Sequence, residues 1–401
     1  MSTKKINLNV NLMLSFIVFS MLLNSMSVII LQLSQNQQHS YTGLGMLEFF
    51  KDIPIALVSI FMVDYIKKRS YYSSLSIALI ICTLCSFTIP FVSEFWFLKI
   101  WFILIGISFS IGKICVFSII KNISDNEKDF SKTMSRTEAA FMLGVFIVNI
   151  EFAIILNSDY KDYWKFGFWL VGIISSWAAF QFYRIDQQNV FEIDKSQGKE
   201  VIDFRILFDY KSILFFTIVV IIVFTEQIFN SWLPTFYKHT LKADSFFALQ
   251  SSAFLALFSF IGRLLASKAV VKFSPMKIFF FCLISGIILT SSAYIIGQDT
   301  DVKVKILMFL FPMVGIFTAP LYPMLNSKYL SKFSERRVGK IVSIIILFTS
   351  LGGSIGSMST AYIFQKNLGN YYLLFATIPL ILILIFSTFF SIKEKISEYI
   401  K

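Results

Sequence analysis

The sequence predicts an all-α integral membrane protein: twelve transmembrane helices in two pseudo-symmetric six-helix bundles. Three observations lead there. The 401 residues are 56% hydrophobic and 17% aromatic with only 15% charge, and they include 47 Phe, a composition suited to lipid rather than to a soluble core. Twelve apolar runs are each long enough to cross the hydrocarbon layer. The deepest interior loss of hydrophobicity, 184–211, divides those runs six and six.

The first run, 10–33, follows Lys4 and Lys5; it can span and no small-residue cleavage site follows it, so it reads as a helix and not a signal peptide. The second, 42–63, carries Glu48, Lys51 and Asp52 near its start. The third, 71–92, holds a CxxC at Cys82 and Cys85, which inside a span reads as small apolar packing, as do Cys115 and Cys282. The fourth, 95–119, contains Lys99 and Lys113, and the fifth, 136–157, contains Glu138 and Glu151; the sixth is 164–183. In the second half, span 7 (211–234) carries Glu226, Gln227 and Asn230, and span 8 (245–269) carries Arg263. Spans 9 (276–297), 10 (304–327), 11 (338–364) and 12 (370–392) complete the set, with Tyr322 and Asn326 in span 10. Spans 8 and 11 are long enough to tilt or to extend past the hydrocarbon. The domains expected are therefore 1–183, a cytoplasmic linker 184–210 with an amphipathic stretch at 200–208, and 211–401.

Lys and Arg set the orientation. With the N-terminus inside, 25 of the 36 fall in cytoplasmic segments, seven in outer loops and four within spans. Both termini are then cytoplasmic. The net charge of +12 reflects this bias toward anionic headgroups, so no nucleic-acid partner is needed. The two histidines, His39 and His239, lie in outer loops. With no HExxH, no nucleophile triad and no Walker motif, an enzyme and a nucleotide-driven pump are both disfavoured, and no metal or cofactor is expected.

Two loops carry a family resemblance. "IFMVDYIKKRS" (60–70) after span 2 resembles the major facilitator superfamily motif Gly-x-x-x-Asp followed by bases: Asp64 matches the acid and Lys67, Lys68 and Arg69 the bases, while Ile60 stands where Gly is usual. "GRLLASKAVVKFSPMK" (262–277) after span 8 resembles the equivalent loop of the second half. There Gly262, Arg263, Lys272, Phe273 and Pro275 fit, and Ser267 and Val271 replace a Gly and an acid. Within that superfamily, "FTEQIFNSWLPTFY" in span 7, "GIFTAPLYPMLNS" in span 10 and "LGGSIGSMSTAYI" in span 11 are similar to the fucose permease-like branch. That resemblance implies sugar:proton symport by a monomer, with spans 3, 6, 9 and 12 on the outside. It also implies coupling acids in spans 1 and 4, where this chain has Ser27 and Phe109.

The deep charges are the remaining signal. Glu48, Lys51 and Asp52 sit at i, i+3 and i+4 and so share a helix face. Each charge at a helix centre costs about 2.5–3.5 kcal/mol and each large apolar residue returns about 0.3–0.6, so span 2 facing lipid would barely insert. The triad must face the interior, either as a self-contained Glu48–Lys51 pair or as substrate and ion machinery with Asp52 left over. Lys113, Glu151, Glu226 and Arg263 complete the set, and spans 3, 6, 9 and 12 carry none. At 1.5 Å per residue, Glu48, Glu151 and Glu226 lie in the outer half, Lys51 and Asp52 near the midplane, and Lys113 and Arg263 toward the cytoplasm. Glu226, Gln227 and Asn230 place an acid and two amides on one surface, which suits a hydroxyl-rich ligand. Lys113 either meets an anionic ligand or neutralises an acid on span 2 or 5. Arg263 reads as a gate or loop anchor, Glu138 as a partner for Arg136 or the neighbouring loop, and Trp232 and Trp96 as interface anchors. Asn24, Tyr322 and Asn326 are further pocket candidates.

Together these features indicate a bacterial inner-membrane secondary transporter. It would move a small polar organic solute, for which the resemblance supplies the word sugar, by alternating access on a proton or sodium gradient. An exporter of a drug, siderophore or metabolite could use the same charges. A membrane sensor that binds without moving its ligand would need a soluble signalling domain that the sequence does not contain.

Overall fold

A computed structural model describes residues 3–35, 40–62, 65–66, 69–92, 94–124, 127–187, 209–297, 307, 310–330, 333 and 335–399. Regular structure among them is helical throughout. The twelve spans, labelled in chain order, are α1 (Thr3–Asn24, continued by Met26–Gln35), α2 (Leu47–Phe61, after a turn of helix at Tyr41–Gly45), α3 (Tyr71–Thr88), α4 (Phe95–Ile123), α5 (Glu127–Leu156) and α6 (Phe168–Gln187). The second six are α7 (Tyr210–Thr235), α8 (Ser245–Ala269), α9 (Pro275–Gly297), α10 (Val314–Thr318 and Leu321–Leu330), α11 (Glu335–Gln365) and α12 (Tyr372–Tyr399).

Among the described residues ten of these are long and apolar enough to cross a membrane. The sequence pattern expects twelve such spans, and α2 and α10 depart from it. In α10 the interruption falls at Ala319 and Pro320, where the proline ring cannot supply a helical N–H. In α2 the break is at Met46, and Pro54 sits inside the longer piece.

The largest contacts between the first six and last six helices are α5 on α8 and α2 on α11, with the outer part of α1 against α7. Within each half, α3 pairs with α6 and α9 with α12. In its most apolar window α1 is 83% buried, against 39% for α6 and α9 and 44% for α12. Those peripheral helices carry much of the exposed Trp, Phe, Ile and Leu, such as Trp169, Trp177, Phe281 and Phe389. Outward apolar surface of this kind needs lipid. Trp101 and Phe102 and the four cysteines are buried among the helices instead.

Contacts between halves lie at both ends of the central axis. At one end Gly45 meets Ala361 and Trp232, and Trp232 stacks on Phe364 with ring centroids 5.6 Å apart. At the other end the Ser59 hydroxyl donates to the Ser343 carbonyl at 3.1 Å.

Candidate functional site

Between these contacts lies a cavity of about 140 Å³. Its charged and amide lining comes from Asn24, Lys51, Asp52, Lys113, Glu138, Glu226, Gln227, Asn230 and Arg263, with Tyr322 from α10 and Thr349, Ser350 and Gly353 from α11. Among the described residues, every lining position belongs to α1, α2, α4, α5, α7, α8, α10 or α11. Phe141 and Met142 on α5, with Phe16 and Phe109, make the apolar wall.

Local sequence explains how several of these side chains arrive. Ser25 and Ser27 return their hydroxyls to the carbonyls of Leu22 and Asn24 at 2.7 and 3.0 Å, a back-bonding that bends helices. The break in α1 follows Asn24 directly. Pro54 has no N–H for the carbonyl four residues earlier, which loosens α2 just beyond Asp52. Gly106 lets α4 come onto the α2 backbone, because a Cβ there would overlap the Lys51 carbonyl. Gly262 does the same between α8 and the backbone of Ile316 on α10.

The α2 triad faces the interior. Glu48 is fully buried, Lys51 and Asp52 nearly so. Glu48 pairs with Lys51, and its Oε1 accepts from Gln227 Nε2 at 2.7 Å and from the Ser231 hydroxyl at 2.8 Å. Asp52 is held more loosely: Oδ1 lies 3.8 Å from Lys51 Nζ, and Oδ2 accepts from the Ser354 hydroxyl at 2.9 Å. Ser231, Gln227 and Ser354 all belong to the second half. Glu48 is therefore saturated by partners, whereas Asp52 opens onto the cavity.

A second network surrounds Arg263. Its Nη1 donates to Glu138 Oε2 at 2.9 Å and to the Glu138 carbonyl at 3.0 Å. Nε donates to the Ala319 carbonyl at 3.2 Å, and Nη2 lies 3.6 Å from Glu226 Oε1. Arg263 thus links α5, α7, α8 and α10. Counting residues from the span ends placed Arg263 and Glu226 at different depths; the long guanidinium arm closes that gap. Glu138 pairs across the two halves with Arg263, not with Arg136 or the loop beside it.

Lys113 differs from both. Its ammonium donates to the Tyr322 hydroxyl at 3.4 Å and lies 5.3–5.7 Å from the ring centroids of Phe109, Phe117 and Tyr322. Among the described residues no carboxylate lies within 4.0 Å of it. Cation–π contacts contribute about 0.5–2 kcal/mol each, against an effective burial cost of several kcal/mol for the ion.

Other candidates are placed elsewhere. Glu151, on the outer part of α5, is not among the lining residues and lies beside Gly167 instead. Asn326 is buried behind Tyr322, with its Oδ1 unpartnered. Arg69 Nη1 donates to the Tyr65 hydroxyl at 3.4 Å in an exposed turn. Asp64, Lys67 and Lys68 lie outside the described residues, as does nearly all of the linker. Trp232 is not an interface anchor: it is fully buried and its indole N–H donates to Ser357 at 3.0 Å. Trp96 is 58% exposed. Sequence reasoning overlooked Ser231 and Ser354. Ser231 could have been found as the i+4 continuation of Gln227 on α7; Ser354 sits in a run of small residues that offers no such cue.

Comparison with known proteins agrees with this fold. A family model described as Major Facilitator Superfamily matches residues 8–357. No curated protein is a significant sequence match. Among solved structures, a D-xylose–proton symporter superposes with a TM-score of 0.74 at 17% identity, covering 94% of this chain and 96% of its own. The Escherichia coli fucose:proton symporter gives 0.68 at 14% identity, with 95% and 98% covered. A bacterial homologue of the iron transporter ferroportin, outward-facing, gives 0.70 at 11%, with 96% and 99% covered. At such identities the likeness is one of fold.

Proposed function

The chain belongs to the major facilitator superfamily of membrane transporters, and from that premise we propose that it is a secondary transporter of a small polar organic solute, coupled to protons and working by alternating access. The observation that carries this reading is the polar cavity on the seam between the two halves. At about 140 Å³ it falls below the roughly 300–1,000 Å³ of drug-sized pockets, which favours a solute of monosaccharide scale over a drug or siderophore. Its lining mixes aromatic walls with amides and carboxylates, groups that complement hydroxyls.

The proton follows from charge balance. Four acids (Glu48, Asp52, Glu138, Glu226) meet three bases (Lys51, Lys113, Arg263) in and behind the cavity. Fully ionised, the cluster carries one excess negative charge in a low-dielectric site, and one proton neutralises it. A gradient of protons then serves as the energy source with no resident cofactor. The solute class extends what the xylose and fucose symporters do, as their names state it, to a chain that shares their fold.

The test is uptake into proteoliposomes with an imposed pH gradient. Sugars, sugar acids, organic acids and siderophores are first screened by thermal stabilisation of the purified protein. Gradient-driven accumulation of a small hydroxylated solute is the expected result. Efflux driven by inward proton flow would assign the direction of an exporter, and stabilisation by siderophores alone would overturn the solute class.

A further inference from the structure

Resting on the transporter reading above, we propose that the solute is an acid: the cavity is built for a small hydroxylated monocarboxylate, its anion held between the Lys113 ammonium and the Tyr322 hydroxyl. The cavity presents three cations, and two are committed. Lys51 is paired with Glu48 and faces Asp52, and Arg263 is paired with Glu138 and Glu226. Lys113 is nine-tenths buried and lines the same cavity. It has one hydrogen-bond acceptor, the Tyr322 oxygen at 3.4 Å, although an ammonium offers three donors.

Tyr322 supplies the second half of the clamp. Its oxygen accepts the Lys113 bond. Asn326 Oδ1 is unpartnered, so it does not take the hydroxyl proton. With a donor on its oxygen and no acceptor for its proton among the described residues, the hydroxyl is left to donate into the cavity that Tyr322 lines. One ammonium and one hydroxyl donor side by side match the two oxygens of a carboxylate. A dianion would need a second cation, which Arg263 could give only by leaving Glu138 and Glu226.

The rest of such a molecule meets hydroxyl-binding groups. Asn230 has no hydrogen-bond partner among the described residues and borders the cavity. Asn24 spends its amide N–H on the Ser20 carbonyl at 3.0 Å and keeps its Oδ1 for a ligand. The bland alternative is that Lys113 neutralises Glu138 and Glu226 at longer range, and it predicts the opposite behaviour of one variant.

The full-length protein in nanodiscs is challenged with matched pairs that differ at the carboxylate: D-gluconate against D-sorbitol, D-glucuronate against D-glucose, and D-glycerate against glycerol. Thermal stabilisation reads binding and proteoliposome counterflow reads transport. An acid is expected to bind at least tenfold more tightly than its neutral counterpart. Lys113→Met should weaken that acid by about 10- to 100-fold, the span of a hydrogen bond to a charged group, and remove the preference. Lys113→Met without ligand should melt a few degrees below the wild type, because it takes a cation from a cluster that already carries one excess negative charge, so the deciding reading is the acid's affinity. A neutral partner that binds as well as its acid overturns the inference and leaves the transporter reading standing. So does a Lys113→Met that keeps the acid's affinity. Silence from every acid and every neutral compound counts against both.

Discussion

Glu48 and Asp52 lie four residues apart on one helix, and their surroundings predict opposite consequences for Glu48→Gln and Asp52→Asn. Glutamine at 48 can keep the bonds from Gln227 and Ser231 but loses the charge that holds Lys51. Leaving a buried partner uncompensated costs about 3–5 kcal/mol. Asp52 recovers part of that, since Lys51 already lies 3.8 Å from it, where Coulomb attraction is about 4 kcal/mol at an effective dielectric constant near 20. The outcome should be lower folded yield, with Asp52 locked onto Lys51. Asparagine at 52 keeps the Ser354 bond and leaves the Glu48–Lys51 pair intact, for about 1 kcal/mol. What it removes is the acid that opens onto the cavity. One proton moving down 100 mV supplies about 2.3 kcal/mol, or about 50-fold accumulation at 1.4 kcal/mol per decade. Asp52→Asn should therefore bring accumulation in proteoliposomes to near unity while counterflow exchange persists, and detergent size-exclusion profiles should show normal yield. If Asp52→Asn still accumulates solute to the wild-type ratio with wild-type pH dependence, this reasoning fails. Coupling then passes to Glu226, which lines the same cavity, ahead of Glu151, which does not.

Further outcomes follow from the same contacts. Glu138→Gln and Arg263→Gln each cut the ion pair between α5 and α8 and should raise labelling of a cysteine introduced into the cavity wall beside that pair. The double variant should cost less than the two singles added, since each single strands a buried charge worth about 3–5 kcal/mol; additive losses would show that the pair is not a unit. Gly106→Ala should destabilise by about 1–3 kcal/mol because its methyl meets the Lys51 carbonyl. Gly286→Ala, whose methyl would sit 3.7 Å from Phe317, should be neutral or gain up to about 1 kcal/mol. Thermal scans of the two distinguish them. Asp64→Asn tests the loop resemblance: cysteine accessibility should shift toward an inward-open form, and unchanged labelling on both faces would deny the loop that role.

What the sequence made legible is what lipid forces on composition. Spans and their number follow from where charge is tolerable; the peripheral place of α3, α6, α9 and α12 came with the family resemblance, and their lack of deep charge agrees with it. Charge tolerance is also why Lys51, Asp52, Lys113, Glu226 and Arg263 could be assigned to one interior before any contact was known. Partner choice was not legible. Periodicity says which face Glu138 occupies, but nothing in its neighbourhood names Arg263, which lies 125 positions away on α8. Nor does the apolar run of span 2 disclose its break at Met46, because Gly45 and Met46 read as ordinary span residues. Trp232 misled for a related reason: near a span end a tryptophan ordinarily marks the interface, and only the meeting of α2, α7 and α11 turns that position inward.

The two networks share one helix, and this gives the fold a way to couple its ends. Glu226 and Gln227 are sequence neighbours on α7, yet they project to different partners: Glu226 toward Arg263 and through it Glu138, Gln227 toward Glu48 beside Ser231. A small rotation of α7 cannot improve both contacts at once. Several contacts that cross the seam are polar, including Gln227 and Ser231 to Glu48, Ser354 to Asp52, Lys113 to Tyr322 and Arg263 to Glu138. Such bonds can be exchanged for water or solute at a net cost of about 1 kcal/mol each, or about 1.5–3 where a charge is involved. They sit beside a small apolar cluster of Met142 and Val145 on α5 with Ala256 on α8, where a large buried side chain contributes about 1.5–3 kcal/mol on its own. The buried charges of α2 therefore gain the protein a seam that can open. On the proton-coupled reading proposed above, neutralising the excess negative charge in the cavity would let α7 relax toward one network at the expense of the other.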